Sequence, residues 1–314
     1  MSAPMWLSAG DQELLVTIGD CADALAVALQ DAPKDNSPRD DPQRSALDLR
    51  MGQLLVMPSA ATGHIGVKLV TVADPMAQID GPRIQGVHVQ FDAHTLAPKA
   101  ILDGIALTNL RTAAVSVLAL RSLADPSSPE LLVFGAGPQA HHHARGVAAE
   151  WPIRRIRVAT RSRETAQQWA DDLARELPGV DVVPLAPEEV EHAVSVADII
   201  VCATTAETPV FSAVPRDGAA IVAVGSHSPR QRELPGALMN RAYVVVEDRA
   251  TALREAGDVV LAIREGLMTA EDVDADLGEL VRGARVDGAA PRVFKSVGMA
   301  WQDAVVADAI LARA

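Results

Sequence analysis

Apolar and polar positions alternate along this chain in two different ways, and the change falls near position 125. Upstream the pattern is mixed. Apolar residues at helical spacing predict a helix over Asp20–Gln30, and runs rich in Val, Leu and Ile predict strands at Gln53–Met57, Ile65–Val72 and Gly86–Phe91. The polar, Pro-rich stretch APKDNSPRDDP at 32–42 reads as a loop, Thr108–Leu123 as a long helix, and DPSSP at 125–129 as a linker. Downstream, strand and helix alternate strictly. Strands are expected at Glu130–Phe134, Ile153–Ala159, Val180–Val183, Ile199–Cys202, Ala220–Val224 and Ala242–Val246, with a helix after the first Gly turn and another at Arg163–Leu177. Such alternation implies parallel strands joined by right-handed crossovers, the doubly wound α/β arrangement. Residues 297–314 are expected to form a last amphipathic helix that packs back on the first part.

Composition narrows the picture. Of 314 residues, 49% are apolar but only 3% aromatic, so the core must be built from Ala, Val, Leu and Ile, as in helix-covered parallel sheets. A formal net charge of -13 argues against nucleic acid, which needs clustered Lys and Arg. Two distant cysteines, Cys21 and Cys202, build neither a disulfide framework nor a Cys-rich metal site, and they favour a reducing cytoplasm. The segment MSAPMWLSAGDQ lacks the basic and apolar regions of a secretory signal, and no apolar run reaches the roughly 20 residues that span a bilayer. A cytoplasmic protein with no membrane partner is expected.

The turn after the strand LLVF reads Gly135-Ala136-Gly137-Pro138-Gln139-Ala140, the G-x-G-x-x-A form of a dinucleotide fingerprint. The first glycine permits the tight turn, the second lets a pyrophosphate reach the backbone, and the small sixth residue packs helix on strand. The helix that follows presents unpaired N–H groups to the anion. The motif gains weight from opening a βαβ unit. At the end of the second strand stand Thr160, Arg161, Ser162 and Arg163, where NAD enzymes usually carry an acid. Two guanidinium groups there suit a 2′-phosphate, hence NADPH with NADH as the alternative, although Ser162 also reads as a helix N-cap.

Lys68 is unusual in an apolar strand unless paired or functional, Arg44 reads equally as a surface charge beside a polar loop, and Arg111 as a helix-face arginine. Together with the segments LLVMPSA (54–60), GVKL (66–69), LTNLRTAA (107–114), GAGPQA (135–140), VGSHSPRQREL (224–234) and FKSVGMAWQD (294–303), taken in that order, they resemble the ornithine cyclodeaminase/mu-crystallin family over nearly the whole chain. The resemblance implies a Rossmann NADP-binding domain over 126–296 and an α+β substrate-binding and dimerisation domain made of 1–125 with 297–314. It implies that Arg44 and Arg111 bind the substrate carboxylate, Arg111 also lying near the cofactor, and that Lys68 sits at the reacting centre. It implies further that Thr204, Val224, Gly225, Ser226 and His227 contact the nicotinamide half, and that Ser296 and Val297 lie in a loop over nicotinamide and substrate.

The departures are as informative. The family's cyclodeaminases carry an aspartate where this chain has His227, a glutamate near Leu55, and an acid at the place of Thr160. Without the first two acids, binding of a diamino acid's distal ammonium is poorly supported; the third departure lies on the cofactor side, where an acid would accompany a bound, recycled NAD. The expectation is therefore reduction of a small 2-imino acid, with Δ1-pyrroline-2-carboxylate to L-proline as the leading case; the family resemblance implies a homodimer made through the first domain. The proton for nitrogen is expected from His227, Lys68 or water. Ornithine cyclodeamination, reductive amination of the alanine dehydrogenase type, linear ketimine reduction, and non-catalytic NADPH-dependent binding of an iodinated aromatic hormone are the rival readings that the resemblance offers.

Other features read as structural. Consecutive His141, His142 and His143 point in different directions on a helix and cannot converge on a metal, so none is expected. His64 reads as a loop histidine, Cys202 as a packed small residue, Glu271–Asp276 as a solvated helix start, and Glu255-Ala256-Gly257-Asp258 as a structural element at the domain junction.

Overall fold

The structure is a computed structural model that describes residues 3–31, 41–74, 77–286 and 288–314. The loop expected at 32–42 falls outside the described residues over 32–40. The chain divides into two compact units, one ending at Val115 and resuming at Met299, the other Ser116–Gly298.

The first unit holds β1 (Met5–Leu7), α1 (Ala9–Leu15), α2 (Ile18–Asp31), β2 (Ser45–Leu49), β3 (Gly52–Ser59), β4 (Ile65–Ala73), β5 (Ile84–Phe91), β6 (Pro98–Asp103) and the first half of α3 (Gly104–Leu123). Helix α2 starts at a capping pair in which the Thr17 hydroxyl accepts from Asp20 N at 3.0 Å and the Asp20 carboxylate accepts from Thr17 N at 2.8 Å. The strands form one sheet in the order β1-β6-β5-β4-β3-β2, antiparallel except for the β1–β6 pair.

The second unit takes the rest of α3 and then β7 (Glu130–Phe134), α4 (Pro138–Glu150), β8 (Arg155–Ala159), α5 (Arg163–Glu176), β9 (Asp181–Pro184), α6 (Val190–Val196), β10 (Ile199–Cys202) and β11 (Ala220–Ala223). It continues through α7 (Gly236–Arg241), β12 (Tyr243–Val246), α8 (Arg249–Glu255), α9 (Gly257–Arg264), β13 (Ala275–Asp276), α10 (Leu277–Val281) and β14 (Arg292–Lys295). Among the described residues its eight strands are all parallel, in the order β13-β12-β14-β11-β10-β7-β8-β9. Strands such as IIVC of β10 and AIVA of β11 are buried at every position, because helices cover both faces of a doubly wound sheet. The winding reverses between β7 and β10, and ligands of such sheets bind beyond the carboxyl ends of the strands at that reversal. The α/β class expected from the sequence is the one found. The insertion of β14 between β11 and β12 was not foreseen. The unit boundary lies inside α3, upstream of the DPSSP linker, because the second half of that helix bonds to the second unit: Arg292 donates to Leu123 O at 2.7 Å, and the Ser116 hydroxyl meets His143 Nε2 at 2.8 Å.

The last helix, α11 (Ala300–Leu311), lies in the first unit against α2, β3, β4 and β5. It is not amphipathic as expected. Ala300 through Ala307 and Ile310 are all buried, including the polar Gln302 and Asp303. A helix buried on nearly all sides can carry such side chains only if the sheet beneath supplies partners.

Candidate active site

The first unit supplies those partners from one face of its sheet. Lys68 on β4 pairs in register with Met57 on β3 and His88 on β5, so all three side chains point under α11. Arg44 stands one residue before β2, whose register continues onto Met57. The Lys68 ammonium is 2% exposed and lies 2.7 Å from Asp303 Oδ2 and 2.9 Å from Oδ1, and it also donates to Thr108 Oγ1 at 3.2 Å. Arg111 on α3 places Nε 3.2 Å from the same Asp303 Oδ1 and donates through Nη1 to Gln302 Oε1 at 3.2 Å. One buried carboxylate thus serves two buried cations.

The electrostatics follow from this count. Burial pushes the Lys68 pKa down to about 8, Asp303 resists that fall, and the neighbouring charges of Arg111 and Arg44 add to it. For Asp303, burial opposes ionisation, but Lys68 and Arg111 outweigh it and hold the carboxyl below its ordinary 3.8. The His88 imidazole is kept neutral chiefly by burial and bonds Gln90 Oε1 at 2.7 Å. Lys68 and Arg111 share one anion, and Arg44 lies near enough to Lys68 for its charge to be felt there; such a basic cluster is suited to a ligand carboxylate. Arg44, Lys68 and Arg111, singled out in the sequence, are therefore brought together. Asp303 and Gln302 were missed as functional residues, although the quoted segment FKSVGMAWQD contains both.

In the second unit, the phosphate turn has the geometry its sequence implies. Gly135 has φ +104, and a Cβ there would stand 2.4 Å from Ala203 O at the winding reversal, so only glycine fits. A Cβ on Gly137 would meet nothing within 4 Å, and the start of α4 has no side-chain cap, with Pro138 at its first turn and Gln139 beside it. Ala140 is fully buried, as close packing of helix on strand requires. These residues fit a dinucleotide pyrophosphate. Arg161 and Arg163 are exposed just beyond β8 and make no ion pair among the described residues, while Ser162 caps α5 and Thr160 Oγ1 donates to Ser162 O at 2.6 Å.

Thr204, Val224, Gly225 and Ser226 follow the carboxyl ends of β10 and β11. His227 is exposed in the same loop, and Ser226 is buried with its hydroxyl donating to Gln231 O. Beyond β14, Ser296 donates to Glu247 Oε1 at 3.0 Å, and Glu247 Oε2 accepts from Val297 N at 2.7 Å and Gly298 N at 2.8 Å. The Ser296 hydroxyl thus holds its own loop in shape.

The three consecutive histidines point apart. His141 faces Glu176, His142 bonds Pro138 O, and His143 bonds Gln139 O and Ser116. His64 pairs with Asp308 of α11 at 2.7 Å. The 271–276 cluster is only partly solvated. Asp274 accepts from Val244 N at 2.6 Å, and buried Asp276 caps α10, because two backbone donors need those carboxylates. Cys21 and Cys202 are buried, and burial first of all pushes both thiols up, Cys21 to about 12, which makes neither a nucleophile.

By class this is a dinucleotide-binding α/β protein with a separate unit that buries Lys68 and Arg111 on one carboxylate. The chain belongs to the ornithine cyclodeaminase/mu-crystallin family, whose profile matches residues 3–314. It is 36% identical over 316 residues to the Δ1-pyrroline-2-carboxylate reductase of Bacillus cereus, covering 98% of this chain and 96% of that one. It is 35% identical over 263 residues to the ketimine reductase mu-crystallin of Mus musculus, covering 82% and 80%. Among solved structures, Thermococcus litoralis Δ1-pyrroline-2-carboxylate reductase in complex with NADH and L-proline superposes with a TM-score of 0.89 at 26% identity, covering 98% and 97%.

Proposed function

We propose that the protein reduces a small cyclic 2-imino acid, with Δ1-pyrroline-2-carboxylate to L-proline as its reaction, at the expense of NADPH. The observation that carries this reading is the buried trio of Lys68 and Arg111 on a single Asp303, with Arg44 beside it, in a chain 36% identical to a reductase of that imino acid.

Arg44 and Arg111 bind the substrate carboxylate, where a guanidinium both neutralises and orients it. Lys68 faces the imine nitrogen and donates the proton that turns it into an amine. Asp303 keeps Lys68 an ammonium despite burial, so that the donor carries its proton near neutral pH. When bound, the dinucleotide supplies hydride to C2. The chain contributes no covalent step: an imine carbon is already electrophilic, and both thiols are buried. Leu55, half-buried on β3, falls near the position where the family resemblance implies a glutamate in the cyclodeaminases, and its apolar side chain favours a ring without a second charge.

For the dinucleotide, Gly135, Gly137, Pro138 and Gln139 hold the pyrophosphate, and Arg161, Arg163 and Thr160 hold the 2′-phosphate. Thr204, Val224, Gly225, Ser226 and Ser296 line the nicotinamide end, with Val297 toward the substrate. In this reading the unit ending at Val115 and resumed at Met299 serves substrate and self-association, and Ser116–Gly298 serves the dinucleotide. Leu47 and Leu49, exposed on strand β2, support a homodimer formed through the first unit. Among the described residues, no helix is long and apolar enough to cross a membrane.

The test is loss of NADPH absorbance with freshly prepared Δ1-pyrroline-2-carboxylate, with NADH as control. Rapid oxidation with accumulation of L-proline is expected. Binding of NADPH without oxidation by this imine would instead favour a linear ketimine.

A further inference from the structure

The second unit buries two carboxylates and a lysine that the proposed reaction leaves unused. Glu233, Asp258 and Lys295 are at most 1% exposed. Lys295 Nζ lies 3.2 Å from Asp258 Oδ2 and donates to Ala223 O at 3.2 Å and Ser226 O at 2.6 Å. Asp258 Oδ1 in turn accepts from the backbone N of Glu233 and of Leu234, each at 2.8 Å. The role of Asp258 is thus structural within the second unit, not at the domain junction where the sequence reading put this segment, and it holds Glu233 in place.

What Glu233 does is more particular. Its Oε1 accepts from Thr204 N at 2.7 Å and Thr204 Oγ1 at 2.8 Å, and its Oε2 accepts from Gly225 N at 2.6 Å. The carboxylate therefore bridges the loops that leave two neighbouring parallel strands. It lies so close beneath Gly225 that a Cβ there would stand 2.6 Å from Oε1 and 2.0 Å from Thr204 O. The Glu233 pKa is raised above its ordinary 4.5, first of all by burial and also by Asp258, with Lys295 and the hydrogen bonds from Thr204 opposing the rise. Every partner of the two oxygens is a donor. Two of these donors are backbone N–H groups that cannot accept an O–H, so the hydrogen bonds favour the ionised form against burial. Two acids against one lysine leave one net negative charge under these strand ends.

We propose that Glu233, braced by Asp258 and Lys295, is a positioning residue. It fixes a negative charge beneath Thr204 and Gly225 that favours the oxidised, cationic nicotinamide over the reduced, neutral one. The proposal rests on the reading that these strand ends hold the nicotinamide. A ring that has given up hydride is positively charged, and a prealigned carboxylate in a low-dielectric interior stabilises that charge without reorganising. The device eases hydride donation in the reductive direction.

The test compares affinities rather than turnover. NADP+ and NADPH are titrated into wild type and Glu233→Gln by tryptophan fluorescence, each variant first checked by thermal melting. Glu233→Gln is expected to weaken NADP+ by about tenfold or more and NADPH by no more than about twofold. Equal losses for both would mean that Glu233 only shapes the loops, and would overturn the proposal. Should Glu233→Gln fail to fold, the wild type decides with 2′-phospho-ADP-ribose as the ring-free reference. The cationic ring must then add more affinity over this reference than the neutral ring does, and the reverse order overturns the proposal. If wild type binds 2′-phospho-ADP-ribose but gains nothing from either ring, the nicotinamide reading itself has failed, a result distinct from equal losses.

Discussion

Lys68 and Asp303 meet at 2.7 Å although 235 positions of chain separate them, and each is the reason the other can be buried charged. Removing the acid leaves two buried cations without their shared anion. Asp303→Asn should cost about 3–5 kcal/mol of unfolding free energy, read by urea denaturation. A loss under about 1 kcal/mol would mean that water already screens this pair.

The same pair sets a pH dependence. In the proposed reaction Lys68 donates only as an ammonium, so kcat/KM should be full below its pKa of about 8 and fall above it. Asp303 is the influence that raises that pKa, so in Asp303→Asn the alkaline fall should move to lower pH by about one unit or more. An unmoved limb would assign the proton to another group, with His227 or water the first to examine.

Acid stability gives an independent check. The Asp303 pKa is held below its ordinary 3.8, so its contribution is complete above that value and is lost as pH falls through the lowered one. Thermal melts from pH 5 downward should therefore drop more steeply for wild type than for Asp303→Asn. Parallel slopes would contradict the depressed pKa.

Arg111→Ala should reduce kcat/KM for the imino acid by about a thousandfold, since it removes a buried carboxylate partner worth about 2–5 kcal/mol. Near-normal steady-state kinetics would refute the carboxylate role.

Replacing Arg161 and Arg163 together by Ala should weaken NADPH by about tenfold or more while leaving NADH within about twofold, because only the former carries the 2′-phosphate. Equal losses in a binding titration would contradict the cofactor choice.

His227→Asp alone should not release ammonia from ornithine, since Leu55 also departs from the cyclodeaminase pattern. Ornithine turnover by that single variant would overturn the two-acid account.

Some of this was readable in the one-dimensional chain. The phosphate turn is a single hexapeptide whose glycines declare their conformations locally, and the second unit's strands are unbroken apolar runs because both faces are covered. Lys68 showed itself as a charge in an apolar strand. Asp303 and Glu233 did not, because each sits in an ordinary helix or loop and acquires meaning from a partner far along the chain, Glu233 from Thr204 at a separation of 29 residues. Strand β2 escaped because SALDL is exposed at every position and shows no alternation, and β14 because nothing local tells a short strand which neighbours it will join.

The division of the chain gives the burial of Lys68 an order in time. The sheet bearing Lys68 emerges from the ribosome early, whereas Asp303 follows only after Gly298, when all of the second unit has been made. The nascent protein thus holds an uncovered face, with a cation awaiting its counter-charge, while the Rossmann half is free to fold. Vectorial synthesis therefore reverses the usual order, and the half encoded first is finished last.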